Sequence, residues 1–552
     1  WPRSETNFRP RAGGQARRRL PAKLAAAAQP NPERRLRKQT EPTTPPTPPT
    51  VPPQDGGMIE LNRRRFLQAG GTAALMGTAG CDAPHKALWP YTGLPDEAKP
   101  PFATPSGESI SLTTHALNRL TFGARPGQHE RILRLAKREE DAVAKFIDEQ
   151  LAPEKTNDDR AEFRVQKFET LALAPIGEFY EFRPRLLHEE LTRATLTRAV
   201  YSERQLYEVM VRFWSDHFNI DISKGECKWL KPADDRNVIR PHALGKFPEL
   251  LAASAKSQAM LTYLDGRENR VRKPEDRPNE NYARELLELH TLGVHGGYTQ
   301  QDVMEIARCL SGWRIGRGLF QVGKVQFEPG LHDNRTKTVL GEAIPVRTGR
   351  DGRKDFDDVL RIVAAHPSTG RHIATKLCQR FIADEPPAAA IDTVTREFTK
   401  TKGDIRETLR ALFVTDEFRG TRGNKFKQPL HFLASALRVT DAESDVGRPL
   451  VNYLVRMGHM PFEYPAPDGY PAHAEPWMST LLWRWNFAAK LAQGQIKGTR
   501  IQHERLAKRA GDPAKLAAHL LGRQPSDDEL ATAKASGNPI GLLLSSPGFQ
   551  WS

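Results

Sequence analysis

Cysteine is scarce in this chain, which contains four in 552 residues. A secreted domain that depended on disulfides would need several cysteine pairs, so the sequence excludes a disulfide framework. Cys309 and Cys378 lie inside apolar helical patterns and are predicted to be buried packing thiols. The chain also lacks Cys-x-x-Cys, haem-attachment, phosphate-loop and Ser–His nucleophile motifs, so no familiar catalytic signature identifies a reaction.

Methionine is absent before Met58, and the residues that precede it have an unusual composition. Residues 1–57 hold eleven Arg or Lys against four Asp or Glu, together with a Pro/Thr run. Such a segment cannot bury a core, so the sequence predicts a disordered extension. An export signal follows Met58 at once, and such signals work at an N-terminus, so we expect the protein to start at Met58. The alternative is that the disordered extension is a real part of the protein.

A large excess of basic charge is also absent from the rest of the chain. The formal charge is +15, of which residues 1–57 contribute 11 − 4 = 7 and residues 58–80 contribute 3 − 1 = 2. The remaining charge of about +6 is spread over more than 450 residues, with no basic helix or aromatic-basic strip. We therefore expect no nucleic-acid partner.

The clearest motif is an export signal. Arg63 and Arg64 lie in the sequence Asn-Arg-Arg-Arg-Phe-Leu-Gln at 62–68, which resembles the twin-arginine consensus. The apolar stretch that follows is too short to span a bilayer and ends in Thr-Ala-Gly-Cys at Cys81, which is similar to a lipoprotein box with Thr in place of the usual Leu. Residues 58–81 are therefore predicted to engage the twin-arginine export machinery, with lipid attachment at Cys81.

The predicted location is the periplasm or cell envelope, with the protein held at the membrane by its lipid. No segment after Cys81 is long and apolar enough for a membrane span, so lipid is the only predicted membrane attachment. The alternative is plain cleavage near Cys81 and a soluble periplasmic product. Because the twin-arginine route carries proteins that have already folded, often around a cofactor, it favours a bound metal ion or other cofactor.

Helical periodicity dominates the mature chain. Apolar residues recur at spacings of three and four, interrupted by Gly-punctuated short runs that predict a hairpin of 319–322 with 324–327. The predicted fold is mainly α, a multi-helix bundle in two packed parts with a small β-hairpin insert. The predicted divisions are a tether at 82–110, a helical part with a polar site at 111–315, the insert at 316–345 and a second helical part at 346–552.

The most informative stretch is a predicted buried helix at 279–292. On a wheel of about 100° per residue, Asn281, Glu285 and Glu288 fall within about 60° of one another. Two carboxylates on one buried face repel each other unless a cation, a proton or an arginine lies between them. Metal binding or acid–base catalysis would satisfy this pair. The alternative is an internal ion pair with Arg284, which stands one turn before Glu288.

Further polar side chains are expected to meet this helix in the bundle core. Arg236 and Arg240 stand one turn apart and are suited to bind a carboxylate or a phosphate. His217 continues an apolar helical stripe, where the alternative to a metal ligand is a satisfied core histidine. Helical bundles build metal sites from such groups on several helices. The predicted catalytic residues are Glu285, Glu288 and Arg240, and the predicted metal ligands are His217, His242, Asn281, Glu285 and Glu288.

Several separated motifs resemble those of one bacterial family. In chain order they are Phe-Trp-Ser-Asp-His-Phe at 213–218, Ile-Arg-Pro-His-Ala-Leu-Gly-Lys-Phe at 239–247, Tyr-Leu-Asp at 263–265, the helix at 279–293, Tyr-Thr-Gln-Gln-Asp-Val at 298–303, Arg-Phe-Ile-Ala-Asp-Glu-Pro-Pro at 380–387 and Pro-Asp-Gly-Tyr-Pro at 467–471. From Leu112 onwards the chain is similar to the family called domain of unknown function 1800. The resemblance implies an exported bacterial protein, commonly encoded beside another twin-arginine-exported family, and implies no catalytic residue.

Two functions remain open at this point. The first is a metal- or cofactor-dependent envelope enzyme with a buried Asn/Glu/His site, for which the export route favours redox chemistry over hydrolysis. The second is a non-catalytic binding or assembly partner of a co-exported envelope protein, in which the polar cluster is a structural network. No motif identifies the metal or the substrate.

Overall fold

A computed structural model describes residues 100–173, 176–316 and 321–552 of the chain. The chain divides into two units, Trp1–Ala79 and Gly80–Ser552, and every described residue belongs to the second unit. The predicted export residues Arg63 and Arg64 and the predicted lipid-attachment residue Cys81 lie outside the described residues. Those three assignments therefore rest on the sequence.

The described residues are mainly α-helical, which confirms the predicted fold class. None of their helices is both long enough and apolar enough to cross a membrane. Up to residue 309 the α-helices are Leu112–Leu120, Gln128–Leu133, Glu139–Leu151, Asp159–Val165, Ile176–Phe179, Pro184–Tyr201, Gln205–His217, Cys227–Asp234, Arg240–His242, Phe247–Ala255, Gln258–Tyr263, Asn281–Glu285 and Gln300–Cys309.

The second half of the described chain is also mainly α-helical. Its α-helices are Lys354–Ala365, Pro367–Phe381, Ala388–Lys400, Ile405–Phe413, Asp416–Gly420, Pro429–Val439, Arg448–Arg456, Glu475–Met478, Leu481–Ala492, His503–Ala510, Pro513–Leu521, Asp527–Ala535, Pro539–Ser545 and Pro547–Gln550. Two segments of the first half, Asp235–Ile239 and Leu286–His290, are π-helical. π-helical turns are rare and often lie at functional sites, so these two segments are candidates for such a site.

Three antiparallel two-stranded sheets are present in the described residues. They pair Trp313–Ile315 with Val325–Phe327, Lys337–Val339 with Glu342–Ile344, and Glu443–Ser444 with Thr499–Arg500. In the first sheet Trp313 stands opposite Phe327, and in the second Lys337 stands opposite Ile344.

The predicted insert hairpin has a different first strand. Val325–Phe327 pairs with Trp313–Ile315 and not with 319–322, so the prediction was wrong about that partner. The physical reason is a turn before Lys324, where the Gly316 N–H donates to the Lys324 carbonyl and the Gly323 N–H donates to the Gly316 carbonyl. The Gly316–Lys324 bond extends the pairing of Trp313–Ile315 with Val325–Phe327 by one step.

Side-chain caps decide where several helices begin and end. The Ser257 hydroxyl accepts from the Met260 N–H, which separates the helix Gln258–Tyr263 from the helix Phe247–Ala255 that precedes it. Thr299 and Asp302 form a capping box, in which each side chain accepts from the other residue's backbone N–H. These local hydrogen bonds give backbone N–H groups side-chain acceptors, which replace the carbonyl acceptors of a continuous helix.

One hydrophobic cluster extends from Phe102 to Phe549 and contains residues of both predicted helical parts. Trp214 is fully buried within it and donates through its indole N–H to the Ala243 carbonyl at 3.0 Å. This anchors the helix Gln205–His217 in the core, so its remaining polar side chains are held in fixed positions. The cysteines of the described residues are free and buried, which confirms the packing role predicted for Cys309 and Cys378.

The segment between the helices Arg448–Arg456 and Glu475–Met478 packs against the first half of the chain. The Asn219 amide donates to the Tyr464 carbonyl at 2.8 Å, and the Tyr263 hydroxyl donates to the Pro465 carbonyl at 2.9 Å. We call residues 457–474 the closing loop. It brings polar side chains that are remote in sequence to the end of the helix Gln205–His217.

A glycine makes the closest part of this approach possible. Gly469 has φ of +78°, and a Cβ built on it would lie 2.1 Å from the Asp216 carbonyl oxygen. No real Cβ occupies such a position, so any side chain at residue 469 would push the closing loop away from the helix.

We predict that Gly469→Ala destabilises the protein more than Gly458→Ala. Gly458 has a similar φ of +67° but no heavy atom within 4 Å of a built Cβ, so it controls for the backbone strain alone. Urea denaturation should give a loss of about 1 kcal/mol for Gly458→Ala and a further loss of about 1–3 kcal/mol for Gly469→Ala. Equal losses would show that the loop relaxes freely and is not held against Asp216.

Candidate functional site

A pocket of about 80 Å³ lies where the helices Gln205–His217 and Pro367–Phe381 meet the closing loop. The first helix belongs to the predicted first helical part, whereas the second helix and the loop belong to the predicted second part. The polar lining consists of Arg212, Asp216, His217, Lys376, Gln379, Arg380, Gln428, His431, His459, Asp468 and Tyr470.

The helix Gln205–His217 supplies one wall of the pocket with an ion pair. Arg212 and Asp216 stand one turn apart, and the Arg212 guanidinium donates to the Asp216 carboxylate at 2.6 Å. Burial raises the pKa of Asp216, and the charges of Arg212, Lys231 and Lys376 oppose that rise. The opposite charges of the pair therefore balance, and this wall carries little net charge.

The opposite wall carries two cations from one helix. Lys376 and Arg380 stand one turn apart on the helix Pro367–Phe381, so both side chains leave the same face. Within the described part of the chain, neither side chain makes a hydrogen bond or an ion pair within 4 Å, while Arg380 lies over the Phe381 ring at 5.2 Å. Each side chain is only partly exposed.

Burial has a strong effect on both cations. It lowers the pKa of Lys376 from 10.5 to about 8, with Asp216 and Asp468 opposing the shift. It lowers the pKa of Arg380 to about 10, with Asp216 opposing the shift. A charged group that leaves water without gaining a partner loses solvation energy, which is what these lowered pKa values reflect.

Several nitrogens of the pocket side chains are buried without a hydrogen-bond partner in the described residues. They include Arg212 Nη1, His217 Nδ1, His431 Nε2 and His459 Nε2. The Leu430 N–H donates to His459 Nδ1 at 3.2 Å, so the hydrogen of this neutral ring is on Nε2. Buried polar atoms in proteins nearly always have a partner, so a group of orphaned nitrogens around one cavity indicates that a ligand or water supplies the missing bonds.

The closing loop supplies the second carboxylate. Asp468 lines the pocket beside Tyr470, whose hydroxyl donates to the Met460 carbonyl at 2.6 Å. The charged side chains of the lining are thus the cations Arg212, Lys376 and Arg380 and the carboxylates Asp216 and Asp468, which leaves one positive charge in excess when the histidines are neutral.

The predicted acidic pair lies close to the pocket but outside its lining. Glu285 and Glu288 are partly exposed, and burial raises the pKa of Glu285, with further upward contributions from the charges of Glu288 and Asp468. Arg284 donates to Glu288 at 3.4 Å, which is the ion pair that the helical spacing allowed. Asn281 is exposed and donates to the Leu264 carbonyl at 3.1 Å.

The two predicted histidine ligands are separated in the structure. His217 is buried and donates through Nε2 to the His290 carbonyl at 3.1 Å, and it lines the pocket. His242 donates through Nδ1 to the Val238 carbonyl at 2.8 Å and does not line it. In the ranges that the structure describes, no three His, Cys, Asp or Glu side chains are grouped so that they could hold a metal ion. The five predicted ligands are therefore not brought together, and their metal role stays a prediction.

Arg240 is engaged by carboxylates of its own chain. Its guanidinium binds Glu208 through two hydrogen bonds of 2.9 and 3.0 Å and binds Asp235 at 2.8 Å. All three side chains are largely buried. The spacing from Arg236 had suggested that Arg240 binds a substrate. In the structure its guanidinium takes part in an ion-pair network within the chain, and Arg240 does not line the pocket.

A Ser–His–Asp alignment occurs elsewhere in the described residues. Ser311 Oγ lies 3.3 Å from His332 Nδ1, and His332 Nε2 lies 3.2 Å from Asp355. The three side chains are almost inaccessible, and His332 Nδ1 makes its shorter contact, 2.9 Å, with the Ser311 carbonyl. Asp355 is also bound by Lys337 and Arg347, which help hold its pKa at about 2 against the effect of burial. These features are those of a buried structural network and not of a nucleophile.

Residues 115–551 match the sequence model of one protein family, which is described as "Protein of unknown function (DUF1800)". The chain belongs to this family. No curated protein matches the chain, and no solved structure matches it. The resemblance inferred from the separated motifs is therefore confirmed at the level of the family, and the DUF1800 match includes every pocket residue.

Sequence reasoning on this DUF1800 chain found one pocket residue among its predicted ligands, His217, and missed the two cations. A signal was present, because Arg380 and Asp468 lie in motifs that carried the family resemblance. Lys376 had no signal of its own beyond its spacing of four from Arg380. The role of Lys376 depends on the side chains across the pocket, such as Asp216 and Asp468, and these are remote from it in sequence.

We predict that Arg240→Met destabilises the DUF1800 protein by about 3 kcal/mol in urea denaturation, because it leaves the buried carboxylates of Glu208 and Asp235 without their cation. The matched control is Arg371→Met, which breaks an exposed pair with Asp392 and should cost less than about 0.5 kcal/mol. A stable Arg240→Met protein that had lost binding of a ligand would instead support the clamp role.

Proposed function

We propose that this DUF1800 protein is exported to the bacterial envelope and that its helical body binds a small anionic molecule in the pocket around Lys376 and Arg380. The observation that carries the binding proposal is the presence of two partly buried cations, one turn apart, that have no carboxylate partner. A carboxylate or phosphate group would supply the missing charge and accept hydrogen bonds from both side chains.

The orphaned nitrogens support the same ligand chemistry. Arg212 Nη1 and His459 Nε2 are donors without acceptors among the described residues, so an anionic group with several oxygens would satisfy them together with Lys376. A ligand with a positive charge would instead meet an excess of cations. The volume of about 80 Å³ suits a small acid or the anionic end of a larger molecule.

Binding has more support here than metal-dependent catalysis. The metal proposal needs ligands that converge, and the described residues contain no such group. The pocket requires only the side chains that already line it. The protein would then act as a receptor for a small acid, or as an enzyme on one, and the assembly with a co-exported envelope protein inferred from the sequence is compatible with either role.

We predict that sulfate and small carboxylates raise the thermal stability of the protein, by about 2.7 kcal/mol at a hundred times the dissociation constant. Lys376→Met and Arg380→Met should each weaken this binding at least ten-fold, because each removes a charge-assisted hydrogen bond. Arg371→Met is the matched control, since Arg371 lies on the same helix but is exposed and paired with Asp392. Equal binding by all three variants would place the anion elsewhere.

The same binding should depend on pH. With a pKa of about 8, the Lys376 ammonium is about nine-tenths protonated at pH 7 and about one-tenth at pH 9, so sulfate should bind several-fold more weakly at pH 9. The free energy of unfolding depends on pH in the opposite direction. The unfolded chain keeps this proton up to about pH 10.5, so the contribution of Lys376 to the free energy of unfolding rises above pH 8. Weaker binding at pH 9 would therefore not result from unfolding driven by this group.

For the export proposal, we predict that replacing both Arg63 and Arg64 by Lys retains the precursor in the cytoplasm, because the twin-arginine pathway recognises the paired guanidinium groups. Cys81→Ala should leave export intact but release the protein from the membrane fraction, because no thiol remains to carry the lipid. Cell fractionation and immunoblotting measure both outcomes. Export of the double-Lys form, or membrane retention of Cys81→Ala, would contradict the respective assignment.

A further inference from the structure

We propose that Lys376 is a carbonyl-reactive lysine, which forms a Schiff base with a small oxo acid whose carboxylate is bound by Arg380. This inference rests on the proposed anion binding and specifies its ligand class. It assigns a covalent step to a pocket in which the sequence predicted one metal ligand, His217, and no nucleophile.

The spacing of the two cations suits such a ligand. Residues at i and i+4 of a helix have Cβ atoms about 5–6 Å apart, so the ends of the Lys376 and Arg380 side chains can reach neighbouring atoms of one small molecule. In an oxo acid the carboxylate and the carbonyl are such neighbours. The planar Arg380 guanidinium suits the carboxylate, and the single amine of Lys376 suits the carbonyl carbon.

The chemistry requires only the lysine and the ligand. The neutral Lys376 amine attacks the carbonyl carbon with its lone pair, the amine loses both its protons, and the carbonyl oxygen leaves as water when the C=N bond forms. No oxidant or reductant takes part. Asp216 and Asp468 are the carboxylates whose charges act on Lys376. Burial leaves about one-tenth of the amine neutral at pH 7 and about half at pH 8, because its pKa is about 8.

A second buried lysine provides an internal comparison. The pKa of Lys427 is lowered by burial to about 7, even further than that of Lys376. However, its ammonium lies 3.9 Å from the centre of the Phe549 ring, and the cavity that it lines has a volume of only about 30 Å³. If a lowered pKa alone made a lysine reactive in this protein, Lys427 would react first. The proposal requires Lys376 to react first, because only Lys376 shares a cavity with Arg380.

The test uses the full-length protein incubated with pyruvate and sodium cyanoborohydride, which reduces an imine to a stable secondary amine. Peptide mass spectrometry should locate the adduct on Lys376, with at least ten-fold less on Lys427. Lys376→Arg should abolish this adduct while retaining a cation in the pocket, and Arg380→Met should lower it at least ten-fold. Lactate, which has the carboxylate but no carbonyl, should give no adduct and should compete with pyruvate.

The outcomes separate this inference from the proposed function. If lactate and pyruvate both stabilise the protein but Lys376 is modified no more than Lys427 or exposed lysines, the Schiff base is refuted and anion binding stands. If neither acid stabilises the wild type and no adduct forms, both proposals fail. Modification of Lys376 that is unchanged in Arg380→Met would overturn the carboxylate role of Arg380, and with it the oxo-acid class.

Discussion

The contact between Gly469 and the backbone of Asp216 is the constraint on which the pocket depends. Only a residue without a side chain fits there, and the approach seats the closing loop against the end of the helix Gln205–His217. The flanking residues Asp468 and Tyr470 then become part of the pocket wall. This is how a carboxylate from the second half of the chain comes to act on Lys376 and on Glu285, whose pKa values both respond to its charge.

Much of the helical architecture could be predicted from local signals, because caps and apolar spacing act over a few residues. The capping box at Thr299 and Asp302 is such a signal, because it needs only two residues that are three positions apart. Helix breaks were harder to predict. At Ser202 the backbone turns because Asp158 binds both the Ser202 hydroxyl and the next N–H, and Asp158 is 44 residues away. The spacing of apolar residues in one segment carries no information about a hydrogen-bond partner on another helix.

The candidate site was predictable only in part, for two physical reasons. The helical wheel at 279–292 assumed about 100° per residue, whereas Leu286–His290 is π-helical, with wider turns. That change turns His290 into the core, where its carbonyl accepts from His217. The second reason is that Lys376 looks like any solvated lysine until Asp468 and His217 are placed opposite it, and that placement is a tertiary property.

The lack of a partner for Lys376 is also more informative than its burial. Two other buried lysines are compensated: Lys231 pairs with Asp234 at 2.8 Å, and Lys427 lies over an aromatic ring. Lys376 and Arg380 have only distant carboxylates, one of which already binds Arg212. Apolar side chains at these two positions would avoid the desolvation cost, so stability alone does not account for the cations. A ligand that binds both of them offsets that cost in the bound state, which is the physical reason for assigning one to this pocket.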